Sequence, residues 1–476
     1  MRVRRGNVRD AVTDGGRSAV YVDGQVIVLS EMATFILDTV PDGVAVHIDG
    51  IESSVVAEFG PPPPPGDAKM LTRGQVIDLL AHGVLIDDAP TVATAPTVRS
   101  TESLYAALAH LRSTHQSRWH LPNDVSPAEF LASARQHHVL PFLAHHSHRL
   151  DLPTDLDAAM TAASTRVNAS VRVLVGELAH ALEALTRADV RALVFKGLAL
   201  ATQAYGHASV RGAGDLDLLV SPQDLVAAHE ALVRAGWRHD PTYPRPAPSW
   251  AWRHMVRTGY ELTLESDVSI LDLHWHLSPM KSTSPSFDDL WRRREVLDIG
   301  GRQVPTLSRY DALAHSAAHS AKDQWRWLRS LLDVHLLASD ARTWQPNRRL
   351  RHDELVTLGL AVLALGRPET APTVVDQAAL AALPHRERVI ALHVGTEQSH
   401  VPPETPGTTL ARSLRAIWRS RSSVTEVPRV VSSSLLPTWL TVDEQAASAA
   451  AAVPRLLSRR ARLMTRRVMR RDASTR

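Results

Sequence analysis

The chain has 476 residues, 44% of them hydrophobic and 22% charged, with a formal net charge of +3. That length implies two to four domains with sizeable cores, and so mild a charge gives no sign of nucleic-acid binding by the chain as a whole, leaving any such claim to local patches. Cysteine is lacking, which excludes disulfides, thiolate catalysis and thiolate-ligated zinc. The basic start MRVRRGNVRD has no apolar core of the kind a signal peptide needs. The longest apolar run, near residues 355–365, is too short to span a bilayer, so a cytoplasmic location is expected.

Residues 2–88 read as a small module of three short strands followed by three helices. Strands are expected at 7–12, 19–22 and 25–29, the last two joined by Asp23-Gly24, a strong two-residue hairpin signal. Ser30 caps a helix over 31–40 whose apolar stripe is Met32, Phe35, Ile36 and Val40. A second helix is expected within 51–59, broken by Gly60, five prolines and Gly66. A third, 68–81, carries Leu71, Val76, Leu79 and Leu80 and stops at Gly83. In this order, in VIVLSEMATFIL (26–37), in Asp42-Gly43 and in LLAHGVLID (79–87), the module resembles the PqqD-like family, also called the RiPP recognition element. The resemblance implies a winged-helix-like fold. It also implies a partner, the leader peptide of a ribosomally made precursor, added as a strand along the edge from Gln25 to Leu29 beside the third helix. The GPPPPPG connection is longer and stiffer than that family's pattern. A generic module with an unrelated structural role is the alternative.

Residues 89–102, with PTVATAP at 90–96, form a linker, and 103–188 a helical region with periodic segments at 127–138 and 158–185. His137, His138, His145, His146 and His148 crowd this region without a zinc-ligand spacing, so packing or solvated roles are favoured. A mixed α/β core then spans 189–300. It opens with an apolar run, 192–195, ending in Lys196-Gly197. A strand that ends in Lys-Gly and leads into a helix offers a cation and backbone N–H groups to a phosphate. Asp215 and Asp217 flank Leu216, and strand alternation puts both carboxylates on one face. Two like charges there need a cation between them, and a hard divalent ion such as Mg²⁺ suits the position. A helix is expected over 221–236, with Pro222 in its first turn and Gly236 at its end. Strands at 260–264 and 269–274 alternate like a pair, with Ile270, Asp272 and His274 on one face of the second.

Residues 301–400 turn helical again, with His315 and His319 four apart and Trp325 and Asp333 beyond them. The 401–476 segment is a basic tail: Ser/Arg-rich over 405–438, an Ala-rich helix at 442–452, and eight arginines between 455 and 471 at roughly helical spacing with apolar residues. A solvated tail is the favoured reading of those arginines. Binding to RNA phosphates or to an anionic membrane surface are the alternatives.

The passages VFKGLALATQAYG, VRGAGDLDLLV, LVRAGW and ILDLHWHL, with a trailing HSAAHS…WRWLRSLLDVH, resemble the DNA polymerase β-like nucleotidyltransferase superfamily. More narrowly they resemble the uncharacterised nucleotidyltransferase family of bacterial biosynthetic clusters, over roughly residues 125–340. The resemblance implies an α+β, multidomain chain: the winged-helix-like module, then a mixed-sheet nucleotidyltransferase core flanked by helical regions. It implies that Asp215, Asp217 and Asp272 hold one or two Mg²⁺ ions, and that Asp272 helps deprotonate an acceptor hydroxyl. Lys196, Gly197 and Arg211 would meet the phosphates of an NTP, with ATP the expected donor. Leu198 departs from the superfamily, which places Gly or Ser there.

Each assignment has a plainer rival. Asp215 and Asp217 suit a solvated strand end, Glu261 and Glu265 compete with Asp272, Lys196 suits the surface, and Arg211 suits a structural pairing with Asp215. His274 and His276 read as packing residues. His315 and His319 lack the intervening glutamate of a zinc protease helix and read as structural or pocket residues. The expected activity is NMP transfer from an NTP to a hydroxyl, with the precursor peptide as acceptor. A tRNA or small-molecule acceptor, or a catalytically silent scaffold that presents peptides, are the alternatives.

Overall fold

The N-terminal module is built from two small sheets rather than one. β1 (Arg2–Arg5), β2 (Val8–Asp14), β3 (Arg17–Val22) and β4 (Gln25–Val28) lead into α1 (Glu31–Asp38), β5 (Val46–His47), α2 (Ile48–Phe59), α3 (Ala68–Ala81) and β6 (Leu85–Asp87). A computed structural model describes residues 2–458 apart from 7, 15–16, 23–24, 62–67, 82, 88–95, 115–116, 280, 282–283, 345–348, 369–372, 395–425, 437, 442–445 and 447. The expected meander is present in the order β2-β3-β4, and Val22 pairs with Gln25, although Asp23-Gly24 itself lies outside the described residues. Ser30 caps α1 by accepting the Ala33 N–H.

The second sheet, β5-β1-β6, is not foreseen by the pattern. Its strands are too short for alternation to show, and their partners come from opposite ends of the module. Arg5 ties β1 to α1 by donating from Nε to the Val40 and Leu37 carbonyls, 2.6 and 3.1 Å away. Val3, Val20, Ile36, Ile51, Val76 and Leu85 meet in a core that belongs to this module.

Helical residues follow: α4 (Val98–Arg112), α5 (Pro127–Gln136), α6 (Leu140–His145) and the long α7 (Thr154–Arg187). A short parallel pair, β7 (Trp119–His120) and β8 (Leu150–Asp151), sits among them. Next come β9 (Ala192–Phe195), α8 (Gly197–Tyr205), α9 (Ala208–Arg211), β10 (Leu216–Val220), α10 (Leu225–Arg234), β11 (Arg238–His239), α11 (Trp250–Thr258), β12 (Glu261–Glu265), β13 (Ile270–His274), α12 (Phe287–Arg292), β14 (Glu295–Ile299) and β15 (Arg302–Thr306).

The main sheet has seven strands in the order β11-β12-β13-β10-β9-β15-β14. It runs past the expected core boundary at 300, because Gly300-Gly301 turns β14 back into β15. Both glycines have positive φ, 63° and 79°, which a two-residue hairpin of this hand requires. Pro222 lies in a turn before α10, whose N-cap is Asp224.

Alternation divides the sheet into two unlike faces. Val194, Leu216, Leu218, Leu262, Leu264, Leu271 and Leu273 pack with Val171, Leu174 and Leu178 of α7 and Leu232 of α10. The intervening residues of the same strands, among them Phe195, Asp217, Leu219, Thr263, Asp272 and His274, take the opposite face. Over that side lie α13 (Arg309–Lys322), α14 (Leu328–Ala338), α15 (His352–Leu365) and α16 (Val374–Val394). Leu313, Leu328 and Leu331 share a core with Phe195 and Leu219.

Near the end of the chain, α17 (Glu426–Leu435), α18 (Thr438–Thr441) and the helical residues 449–458 lie close to α11. Leu436, Leu440, Ala452 and Leu456 pack on Trp250 and Ala251. The rest of the arginine-rich segment, from 459, lies outside the described residues. No helix among the described residues is long and apolar enough to cross a membrane.

The roof depends on one close approach. A Cβ on Gly359 of α15 would collide with the Ala378 carbonyl of α16 and come within 2.7 Å of Ala382 Cβ. Helix propensity alone favours Gly359→Ala by about 1 kcal/mol, whereas overpacking costs about 1–3 kcal/mol. Thermal unfolding should therefore show a lower midpoint for Gly359→Ala. A raised midpoint contradicts the close packing.

Candidate active site

β10 lies at the centre of the sheet, antiparallel to β9 and parallel to β13. The ladder sets Phe195, Asp217, Asp272 and Thr263 in one row across four strands. Two of the expected acids therefore face each other on neighbouring strands. Asp217 is the deeper, with its side chain 2% exposed.

A carboxylate so placed must find cations or hydrogen-bond donors. Lys196 Nζ lies 2.7 Å from Asp217 Oδ1, and His274 Nε2 lies 2.9 Å from the same oxygen. Burial pushes the Asp217 carboxyl up, but the Lys196 ammonium and the His274 hydrogen bond outweigh it and hold it well below the usual carboxylate range. Burial lowers the Lys196 pKa, and the Asp217 charge more than offsets it, so the net shift is upward. Asp272 accepts a hydrogen bond from Thr263 Oγ1 at 2.7 Å. Burial, reinforced by the Asp217 charge, pushes its carboxyl up to about 6.

The Lys196-Gly197 turn is strained in a way that serves this pairing. Lys196 has φ 54° and ψ −152°, a rare region for a residue with a Cβ and worth about 1–3 kcal/mol of strain. Gly197 follows at φ 31°, and a Cβ on it would come within 3.2 Å of the Asp215 carbonyl oxygen. No side chain caps α8, so its first N–H groups face forward from this turn. Leu198, the departure from the superfamily pattern, is buried in the apolar core on the far face.

Asp215 stands just before β10, pushed up by burial and by the Asp217 charge. Among the described residues, one group of side chains brings three possible metal-ligand atoms within 4.8 Å of one another, and it is Asp217, Asp272 and His274. Asp215 is not in that group. Arg211, expected to meet phosphate, is engaged elsewhere: its Nε and a terminal nitrogen fork onto Asp333 at 2.7 and 3.0 Å.

Histidine carries most of what the pattern undervalued. His274 reads as a packing residue from spacing, yet it holds Asp217 and places Nδ1 3.2 Å from Glu261 Oε2. Its position on the Asp272 face was the available signal. His315 lies edge-on to Phe195 with its rings 5.2 Å apart, and burial with the Lys196 charge pushes it well below the usual histidine range. His319 Nε2 lies 3.4 Å from Asp323. His276 is lowered to about 4 by burial and by Lys281, outside the acid group. In the helical region, His137 is bound to the His393 carbonyl, and His145, His146 and His148 pack on one another.

Residues 123–362 match the model of a family described as an uncharacterised nucleotidyltransferase. The chain belongs to that family. No curated protein and no solved structure matches it.

The donor set of this nucleotidyltransferase-family site fits a divalent cation. Two opposed carboxylates suit a hard ion, and the His274 imidazole extends the set toward Mn²⁺ and other first-row metals. The neutralising charge on Asp217 is at present the Lys196 ammonium.

The raised Asp272 pKa has a stability consequence. Between the ordinary value of 3.8 and about 6 the folded chain holds a proton that the unfolded chain has lost, so stability falls as pH rises through that window. Asp272→Asn removes this loss and keeps the Thr263 bond. Melting curves should show the variant more stable than wild type by about 1–2 kcal/mol near neutral pH, with the two curves converging below about pH 4. A variant destabilised equally at every pH contradicts the assignment.

Proposed function

We propose that this chain is a polymerase β-like, metal-dependent nucleotidyltransferase that moves NMP from an NTP, with ATP the preferred donor, to a hydroxyl of a ribosomally made precursor peptide: the hydroxyl oxygen bonds the α-phosphorus as the α–β phosphoanhydride bond breaks, and pyrophosphate leaves. The observation that carries this reading is the facing pair Asp217–Asp272 on parallel strands, set beside the uncapped helix start at Lys196-Gly197. Asp217, Asp272 and Asp215 would hold Mg²⁺, which supplies charge neutralisation to the triphosphate when bound. The first N–H groups of α8 and the Lys196 ammonium receive phosphate oxygens. Asp272, ionised above about pH 6, accepts the proton of the acceptor hydroxyl.

The acceptor is supplied by the 2–88 module. Within its meander, β4 has a partner on one side only. The Leu29 N–H is directed to the Ser18 carbonyl at 2.7 Å, so by alternation the Val28 N–H is directed to the open edge. Val28 is also 52% exposed, an apolar side chain on an edge that natural sheets otherwise protect. Both features suit a peptide added as a further strand. Holding the leader there raises the local concentration of the core peptide at the transfer site.

The test separates the two sites. The full chain is incubated with labelled NTPs, Mg²⁺ and candidate precursor peptides, and the peptide mass is measured. Asp217→Ala should cut transfer on the order of 100-fold or more while leaving peptide affinity intact. Val28→Pro should weaken peptide binding while leaving NTP binding intact. Transfer that survives Asp217→Ala rejects the catalytic reading, and unchanged peptide affinity in Val28→Pro rejects the edge.

A further inference from the structure

Arg329 is a cation without a partner. It occupies the second position of α14, its Nε is buried with no hydrogen-bond partner, and among the described residues no carboxylate lies within ion-pair distance of it. One turn along the helix, Asp333 is the neighbour that would normally pair with it. Both Asp333 oxygens are already taken: Arg211 forks onto them, and Tyr205 donates to Oδ1 at 2.7 Å. Two guanidinium groups and one carboxylate thus share a buried nest.

Asp333, Tyr205 and Asp215 favour this charge, but burial and Arg211 oppose it more strongly. Burial, then the Arg211 charge, lowers the Arg329 pKa to about 10. The start of a helix is the wrong end for a cation. The same charge presses on His138, which burial and Arg329 push down to about 3. Asp215 feels the Arg329 charge as well, which pulls its carboxyl down against the upward push of burial and Asp217. An arginine whose buried Nε has no partner and which no carboxylate pairs, at a cost in stability, is the state expected of a site that takes an anion.

We propose that Arg329 binds a phosphate group of the substrate, in the role that the family resemblance implies for Arg211, while Arg211 and Asp333 act as the brace that holds the site open. The proposal rests on the nucleotide reading above. The ligand chemistry is a polyphosphate, either the triphosphate of an NTP or free polyphosphate. Arginine suits it because a planar guanidinium grips phosphate oxygens in pairs.

Calorimetric titration of the full-length chain with each NTP, and separately with tripolyphosphate, both with Mg²⁺, tests this in wild type, Arg329→Met and Arg329→Lys. Arg329→Met should weaken NTP binding by about 10-fold or more, with Arg329→Lys recovering part of it. Its melting temperature should equal or exceed that of wild type, because an unpaired buried charge has been removed. NTP affinity unchanged in Arg329→Met overturns the proposal and leaves the nucleotide reading standing. A melting temperature that falls in Arg329→Met and recovers in Arg329→Lys, with binding following it, assigns Arg329 to structure and overturns the proposal. Tripolyphosphate binding that depends on Arg329, with no NTP bound by wild type, upholds the anion site and removes the nucleotide reading. A wild type that binds neither removes both.

Discussion

A carboxylate buried on the central strand of a sheet is tolerable only beside positive charge, and the ion pair between Asp217 and Lys196 meets that need here. Much of the site's local geometry follows from it. Lys196 must leave β9 and turn back toward β10 at once, so it accepts a strained backbone, and a glycine must follow where Asp215 passes close by. The parallel pairing of β10 with β13 then brings Asp272 opposite Asp217 and His274 within reach of the same oxygen. The reverse face of these strands is uniformly apolar, which lets α7 and α10 fix the sheet without competing for the charged face.

Charge is left unbalanced in two places, and Asp215 lies within electrostatic reach of both. On the acid side, Lys196 and His274 drive Asp217 below the ordinary range, while burial and the Asp217 charge raise Asp272 to about 6. On the basic side, Arg211 takes the Asp333 carboxylate and Arg329 is left without one. On the proposed function, a metal-bound triphosphate would carry the complementary charges to both, a cation for the acids and phosphate oxygens for the arginine. The strain at Lys196 and the unpaired guanidinium are costs that such a ligand would offset on binding.

The sequence was most legible where chemistry and periodicity coincide. The two aspartates around Leu216, the alternating 269–274 segment and the Lys-Gly turn all declare their faces by a period of two, and the structure sets Asp217 and Asp272 in one row. It was least legible where a residue's meaning depends on a distant partner. Arg211 looks like a phosphate ligand until Asp333, more than a hundred positions later, takes both sides of its fork. His274 looks like packing until Asp217 is seen beside it. The β5-β1-β6 sheet has too few residues per strand to show a pattern, and the Gly300-Gly301 hairpin carries the core beyond its expected end.

On the proposed function, a divalent cation bound at Asp217 would displace the Lys196 ammonium that neutralises it here. Manganese titration followed by electron paramagnetic resonance, without nucleotide, reads it directly. Lys196→Met should bind Mn²⁺ more tightly than wild type, because a competing cation has gone, and Asp217→Asn should lose the bound signal. Equal Mn²⁺ binding by wild type, Lys196→Met and Asp217→Asn would place the metal elsewhere and contradict the account.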